Sequence, residues 1–180
     1  MKGTSDLGIE LGGKVTDTTP ILIGYADADF AGDLNDRRST TGYVFAINNA
    51  GLLSWKSAIQ KAISLSTVEA EIRALKDATK EAIALRCLLK DLGHIQNNPT
   101  TIHEDNQGTI FLAKNNTRSD RTKHLTVIHK FVNKKIEDKT IELKYVKSRE
   151  NWADIFTKPI ARPEFLRLRS LLGLRPRQRN

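Results

Sequence analysis

Cysteine is all but absent: Cys87 is the single one in 180 residues. No intramolecular disulfide can form, and a zinc site built on paired cysteines is excluded. Cys87 lies in the apolar run AIALRCLL and reads as a small core residue. No apolar run approaches the roughly 20 residues that cross a bilayer. Residues 1–20 also lack the apolar centre of a signal peptide. An intracellular compartment, cytoplasmic or nuclear, fits these absences, and a membrane partner does not. Internal repeats and low-complexity tracts are missing as well. Acidic side chains are the minority, 21 against 29 Lys and Arg, for a net charge of +8 and a pI near 9.7. Such a chain suits a polyanionic partner such as nucleic acid. Its length and 39% hydrophobic content support one domain with a real core.

The pattern of elements is mixed. Residues 21–29 alternate around Ile21, Ile23, Tyr25 and Asp27, which predicts a strand. A polar loop, 32–42, leads to strands over 42–48 and 52–65, joined by a hairpin at Asn48-Asn49-Ala50-Gly51. Ser66 opens a helix that runs to about Leu92 and stops at Gly93, with Glu69 reaching back to the Ser66 amide as a capping box. Residues 100–104 form a strand, and Asp105 opens a second helix through about Asn115. A third helix covers 121–138, and a last strand covers 140–146. Ser148 caps a helix carrying Asp154, and 164–174 is a final amphipathic helix before a basic tail. Three strands joined by short turns, followed by strands alternating with helices, imply an α/β fold with a mixed sheet flanked by helices.

Four scarce acids stand among apolar residues: Asp27 in GYADADF, Glu71 in STVEAEIRAL, Asp105 in TIHEDNQG and Asp154 in ENWADIF. Each has a structural explanation when taken alone. Asp105 suits an N-cap, Glu71 a first helical turn and Asp154 a solvated helix. Asp29 shares a strand face with Asp27 and reads as a neighbour or a loop-edge charge. Brought together, the four form a cluster of like charges that is costly unless cations neutralise it. Magnesium prefers hard oxygen ligands. A pair of such ions about 3.5–4 Å apart serves phosphodiester hydrolysis without a side-chain nucleophile.

At these residues the chain resembles the ribonuclease H domain of copia-type retrotransposon Pol polyproteins. The matching text is GYADADFAGD, DRRSTTGYVF, LSWKSAIQ, LSTVEAEIRAL, HEDNQGTI, RTKHL and YVKSRENWADIFTKP, over roughly residues 20–160. The resemblance implies a ribonuclease H-like fold with a five-stranded mixed sheet. It implies cleavage of the RNA strand of RNA–DNA hybrids during reverse transcription. Asp27, Glu71, Asp105 and Asp154 are then the catalytic metal ligands, for two Mg2+ ions with Mn2+ as the alternative. On this reading residues 1–19 are a lead-in from an upstream reverse transcriptase domain, itself a partner. Residues 20–160 are the nuclease-like domain, and 161–180 are a C-terminal helix and basic tail.

Two departures from the wider family stand out. The loop 147–151, KSREN, holds no histidine where many cellular ribonucleases H place one. His124 in RTKHL precedes another helix, where capping or packing is an equal use. Gln107 falls where relatives touch the RNA sugar, a contact that distinguishes RNA from DNA. Arg38, Lys56 and Lys123 are candidates for the nucleic-acid backbone, with Arg37, Lys61 and Arg121 beside them. Trp55 reads as a hydrophobic strand position. Two rival functions remain open at this point. One is a catalytically silent module that binds hybrid and tethers a polymerase. The other is an integrase-like strand transferase, which would leave Glu71 without a purpose.

Overall fold

Strand-favouring residues over 22–29, 40–47 and 52–59 build three of the five strands of the main sheet. A computed structural model describes residues 6–10, 12, 21–47, 51–115 and 123–176, except for the side chains of 123 and 124. Its elements are β1 (Leu7–Ile9), β2 (Leu22–Asp29), β3 (Thr40–Ile47), β4 (Leu52–Ile59), α1 (Thr67–Asp91), β5 (Thr100–Glu104), α2 (Gln107–Lys114), α3 (Lys123–Glu137), β6 (Ile141–Tyr145), α4 (Arg162–Leu171) and β7 (Leu174–Pro176). The sheet order is β4-β3-β2-β5-β6. The first two pairings are antiparallel, and β2–β5 and β5–β6 are parallel. This is the expected five-stranded mixed sheet.

Helix α1 lies across one face. Its stripe of Ile72, Leu75, Ala78, Ala82, Leu85 and Leu89 is buried with Phe45 of β3 and Ile102 of β5. Each fully buried Leu or Ile contributes about 1.5–3 kcal/mol of transfer free energy. Ala70 and Ala74 let the helix approach Ala28 closely. Ser66 caps the helix, its Oγ accepting the Glu69 N–H at 3.2 Å. At the other end Gly93, with φ of 86°, closes a Schellman turn. There His94 N–H donates to the Leu89 carbonyl, and Gly93 N–H to the Lys90 carbonyl. The opposite face of the sheet is covered by Ala153, Trp152 and Leu172 against Tyr25 and Val44.

Several sequence expectations change. β4 ends at Ile59 rather than 65, because Gln60 turns inward. Its amide donates to Thr41 Oγ1 and to the Ala70 carbonyl, pinning the chain to α1. The Glu69 carboxylate accepts the Leu65 N–H instead of the Ser66 amide and pairs with Arg73. Asn106, not Asp105, caps α2, its Oδ1 accepting the Thr109 N–H. Asp154 sits in a 3-10 turn, Trp152–Phe156, capped by Asn151; Ser148 begins a separate one-turn segment. Cys87 is exposed, since it lies two positions from the buried Leu85 and so off the apolar stripe. Trp55 is half-exposed on the outer side of edge strand β4. The final helix spans 162–171 and is followed by β7, which pairs antiparallel with β1, so the described parts of 1–19 and 161–180 meet. The expected hairpin joint at 48–50 and the tail at 177–180 lie outside the described residues.

Candidate metal centre

Strand alternation aims Tyr25 and Asp27 away from α1, while Ala26 and Ala28 pack beneath it. Asp27 therefore points toward the 151–158 turn, at the carboxyl end of β2. The carboxyl end of the parallel neighbour β5 delivers Asp105. The first turns of α1 hang Glu71 over the same strand ends, where sites in α/β sheets commonly form. Oxygens of Asp27, Glu71 and Asp105 all lie within 4.8 Å of one another. Asp27 and Glu71 are buried and Asp105 is partly so.

Asp154 arrives from the far end of the chain on a tightly anchored turn. Asn151 is fully buried; its Nδ2–H donates to the Ala26 carbonyl at 2.8 Å and its Oδ1 accepts the Ala153 N–H at 3.1 Å. Trp152 stacks on Tyr25 at 4.6 Å between ring centroids, and Tyr25 stacks on His103 at the same distance. Gly42 allows this closeness: a Cβ there would come within 2.5 Å of Thr157 Cγ2 and 3.0 Å of the Ala153 carbonyl. The Thr157 hydroxyl donates to Asp27 Oδ2, so turn and strand share one carboxylate.

Burial and crowding raise the pKa values of Glu71, Asp105 and Asp154. Desolvation, then Glu104, Asp27 and Asp105, pushes Glu71 well up, against a hydrogen bond from the Ala28 N–H. Asp105 is raised by burial and by Asp27, against a bond from the Ser148 hydroxyl and the pull of Lys158. Asp154 is pushed up to about 6 by burial and Asp27, in spite of Lys158. Glu71 Oε2 is buried without a hydrogen-bond partner. An orphaned buried carboxylate oxygen facing two more acids fits a hard divalent cation, as does an all-oxygen donor set.

Two residues escaped the sequence reading. Glu104 is fully buried at the end of β5, with burial driving its pKa well up and its Oε1 accepting the Asn106 N–H. The inward alternation of Thr100, Ile102 and Glu104 was the signal available. Lys158 inserts its ammonium among the acids, 2.9 Å from Asp154 Oδ1 and 3.9 Å from Asp27 Oδ2. Its signal was the i,i+4 spacing from Asp154.

The outer candidates are dispersed. Gln107 is exposed at the first turn of α2. Arg38 pairs with Asp36 at 2.8 Å in the loop before β3. Lys56 pairs with Asp77 at 2.9 Å and lines a cleft of about 510 Å3 with Lys61, Arg73 and Lys76. Lys123 begins α3, while its side chain, that of His124, and Arg121 lie outside the described residues.

Comparison with known proteins finds relatives by sequence and by fold. The chain is 36% identical over 174 residues, 97% of its length, to the retrovirus-related Pol polyprotein from transposon TNT 1-94 of Nicotiana tabacum, and spans 13% of that polyprotein. The ribonuclease H1 of Halobacterium salinarum superposes with a TM-score of 0.53 at 14% identity, covering 81% of this chain and 97% of that one. LC11 ribonuclease H1, solved in complex with an RNA/DNA hybrid, superposes with a TM-score of 0.52 at 15% identity, covering 76% and 93%. No family model matches the chain.

Proposed function

The chain belongs with the ribonuclease H domains of copia-type retrotransposon Pol polyproteins, and from that premise we propose that it is a divalent-metal-dependent endonuclease cutting the RNA strand of RNA–DNA hybrids. The observation carrying this reading is the convergence of Asp27, Glu71 and Asp105 oxygens within 4.8 Å. Asp154 stands outside that group of three, close enough that the charges of Asp27 and Asp105 help raise its pKa, and would complete the set. These four carboxylates would hold two Mg2+ ions, or Mn2+. Bound divalent cations supply Lewis acidity and neutralise charge at the scissile phosphate.

The chain's own groups hold the ligands in place. Thr157 fixes one oxygen of Asp27, and the buried Asn151 holds the turn that carries Asp154. Gln107 stands one residue beyond the Asp105–Asn106 bend, where it would read a ribose hydroxyl. Arg38, Lys56 and Lys123 would hold backbone phosphates of the hybrid. The domain would act inside the cell beside the reverse transcriptase domain of the same polyprotein. An integrase-like role leaves Glu71 idle, yet Glu71 stands inside the cluster.

The test is incubation with labelled RNA–DNA hybrid, RNA duplex and DNA duplex, with magnesium and with chelator. Magnesium-dependent cleavage confined to the RNA of the hybrid is expected. Asp27→Asn should abolish it while leaving the circular dichroism spectrum intact. Cleavage by that variant at the wild-type rate would remove Asp27 from the mechanism. Hybrid binding by the parent protein without cleavage would make the domain a tether.

A further inference from the structure

Lys158 is the one ammonium that penetrates the acidic cluster among the described residues. Its Nζ stands 2.9 Å from Asp154 Oδ1 and 3.9 Å from Asp27 Oδ2, an ion pair with each carboxylate. The Thr157 hydroxyl donates to that same Asp27 oxygen. Two consecutive residues thus meet a carboxylate some 130 positions away in sequence. The Lys158 side chain is 36% exposed, with a flexible stem that has an open route to solvent. Asp154 is fixed by the Asn151 anchor and Asp27 by its strand, so the lysine is the mobile member of the trio.

We propose that Lys158 is the built-in counter-ion of this centre, bridging Asp27 and Asp154 in the metal-free protein and giving up those oxygens when a divalent cation binds. The inference rests on the reading of the cluster as a metal site. An ammonium and a divalent cation both need oxygens of Asp27 and Asp154, and two cations cannot share them at contact without mutual repulsion. Lys158 therefore does two opposed things. It relieves carboxylate repulsion before metal arrives, which keeps the 151–158 turn seated on β2. It also competes with the metal, which weakens metal affinity in the absence of nucleic acid. Once displaced, the ammonium remains within reach of the site's mouth, where the incoming phosphate backbone carries the opposite charge. The lysine is a positioning residue, acting through Asp27 and Asp154.

Lys158→Met keeps the length and apolar character of the stem and removes the charge, while Lys158→Arg keeps the charge. Calorimetric titration with magnesium chloride, without nucleic acid, should show binding to Lys158→Met about tenfold tighter than to wild type, a 1.4 kcal/mol difference, and Lys158→Arg near wild type. Melting should show Lys158→Met destabilised in chelator and restored toward wild type in saturating magnesium. Failure to fold in chelator that magnesium reverses is the same result in extreme form. Unchanged or weaker magnesium affinity in Lys158→Met would overturn the proposal. So would a loss of melting temperature that is equal with and without magnesium, since a purely structural contact behaves that way. Absence of magnesium binding in wild type and variant alike would instead sink the metal-site reading beneath it. Equal affinities in both, with hybrid cleavage intact, would sink only the role of Lys158.

Discussion

Raising the pH of the metal-free protein should cost it stability, and Asp154 sets a measurable share of that loss. Burial and Asp27 lift its pKa from the ordinary 3.8 to about 6, net of the opposing pull of Lys158. The native state therefore holds a proton over a range where the unfolded chain has released it. Stability from the neutral carboxyl is fully present below the unfolded value of 3.8 and is lost as pH rises through about 6. That rise from 3.8 to about 6 corresponds to about 3 kcal/mol at neutral pH. Only 7% of Asp154 is exposed, so water screens little of it. In a domain of this size about 3 kcal/mol moves the melting temperature by roughly 6–12 °C. Glu71 and Glu104 are raised as well and add losses of the same sign, so the variant isolates the Asp154 portion. Asp154→Asn, neutral at every pH, should melt higher than wild type at neutral pH in chelator, and the two should converge in mild acid. Saturating magnesium should reverse the wild-type trend, because only ionised carboxylates hold the cation. Thermal melts between about pH 4 and pH 8, with chelator and with magnesium, decide the matter. A chelated wild type whose stability does not fall across that range, or an Asp154→Asn protein with the wild-type slope, refutes the reasoning.

Three further substitutions separate anchoring from packing. Asn151→Ala leaves the Ala26 carbonyl and the Ala153 N–H without their buried partner. It should cost about 1–3 kcal/mol in chemical denaturation and reduce hybrid cleavage further than that loss explains, because the turn bearing Asp154 is unhooked. Gly42→Ala forces a Cβ against Thr157 and the Ala153 carbonyl. About 1–3 kcal/mol of overpacking cost is expected, with kcat falling at temperatures where the protein is fully folded. Gly24→Ala is the contrasting case, since its Cβ would meet the Phe45 ring at 2.3 Å, in the core. It should lower the melting temperature comparably while kcat of the folded protein stays near wild type; equal kcat losses in both glycine variants would show that the turn is not specifically involved.

The framework was legible where local chemistry decides structure. Period-two alternation marked β2, and the Ser66 cap with the Gly93 stop bounded α1 to within a residue. The succession of elements implied a mixed sheet flanked by helices, while the order β4-β3-β2-β5-β6 needed the structure. The misses share a different cause: each depends on what a side chain meets at long range. Gln60 could not be read as the end of β4 without its partners Thr41 and Ala70. Cys87 sits in an apolar run, yet helical phase turns it outward. The β1–β7 ribbon joins two three-residue segments too short to announce themselves. At the site, acids that stand alone in apolar text were visible. Glu104 was hidden by its neighbour Asp105, and Lys158 by its resemblance to any solvated lysine in a basic chain.

The centre is split between a framework and a clasp. Asp27, Glu71 and Asp105 belong to β2, α1 and the end of β5, elements that share the main core. Asp154 and Lys158 belong to a turn held to β2 by contacts spanning 125 and 130 residues. The clasp follows directly on β6, which ends at Tyr145, so once the sheet has formed only a short span of chain has to be fixed to seat it. Buried Asn151 and the stacked Trp152 then hold it in place. Opening it removes one carboxylate and the one ammonium together, so the charge of the remaining cluster changes far less than the loss of either alone would produce. The pairing of Asp154 with Lys158 on a single turn therefore keeps the net charge that the clasp brings to the framework close to zero.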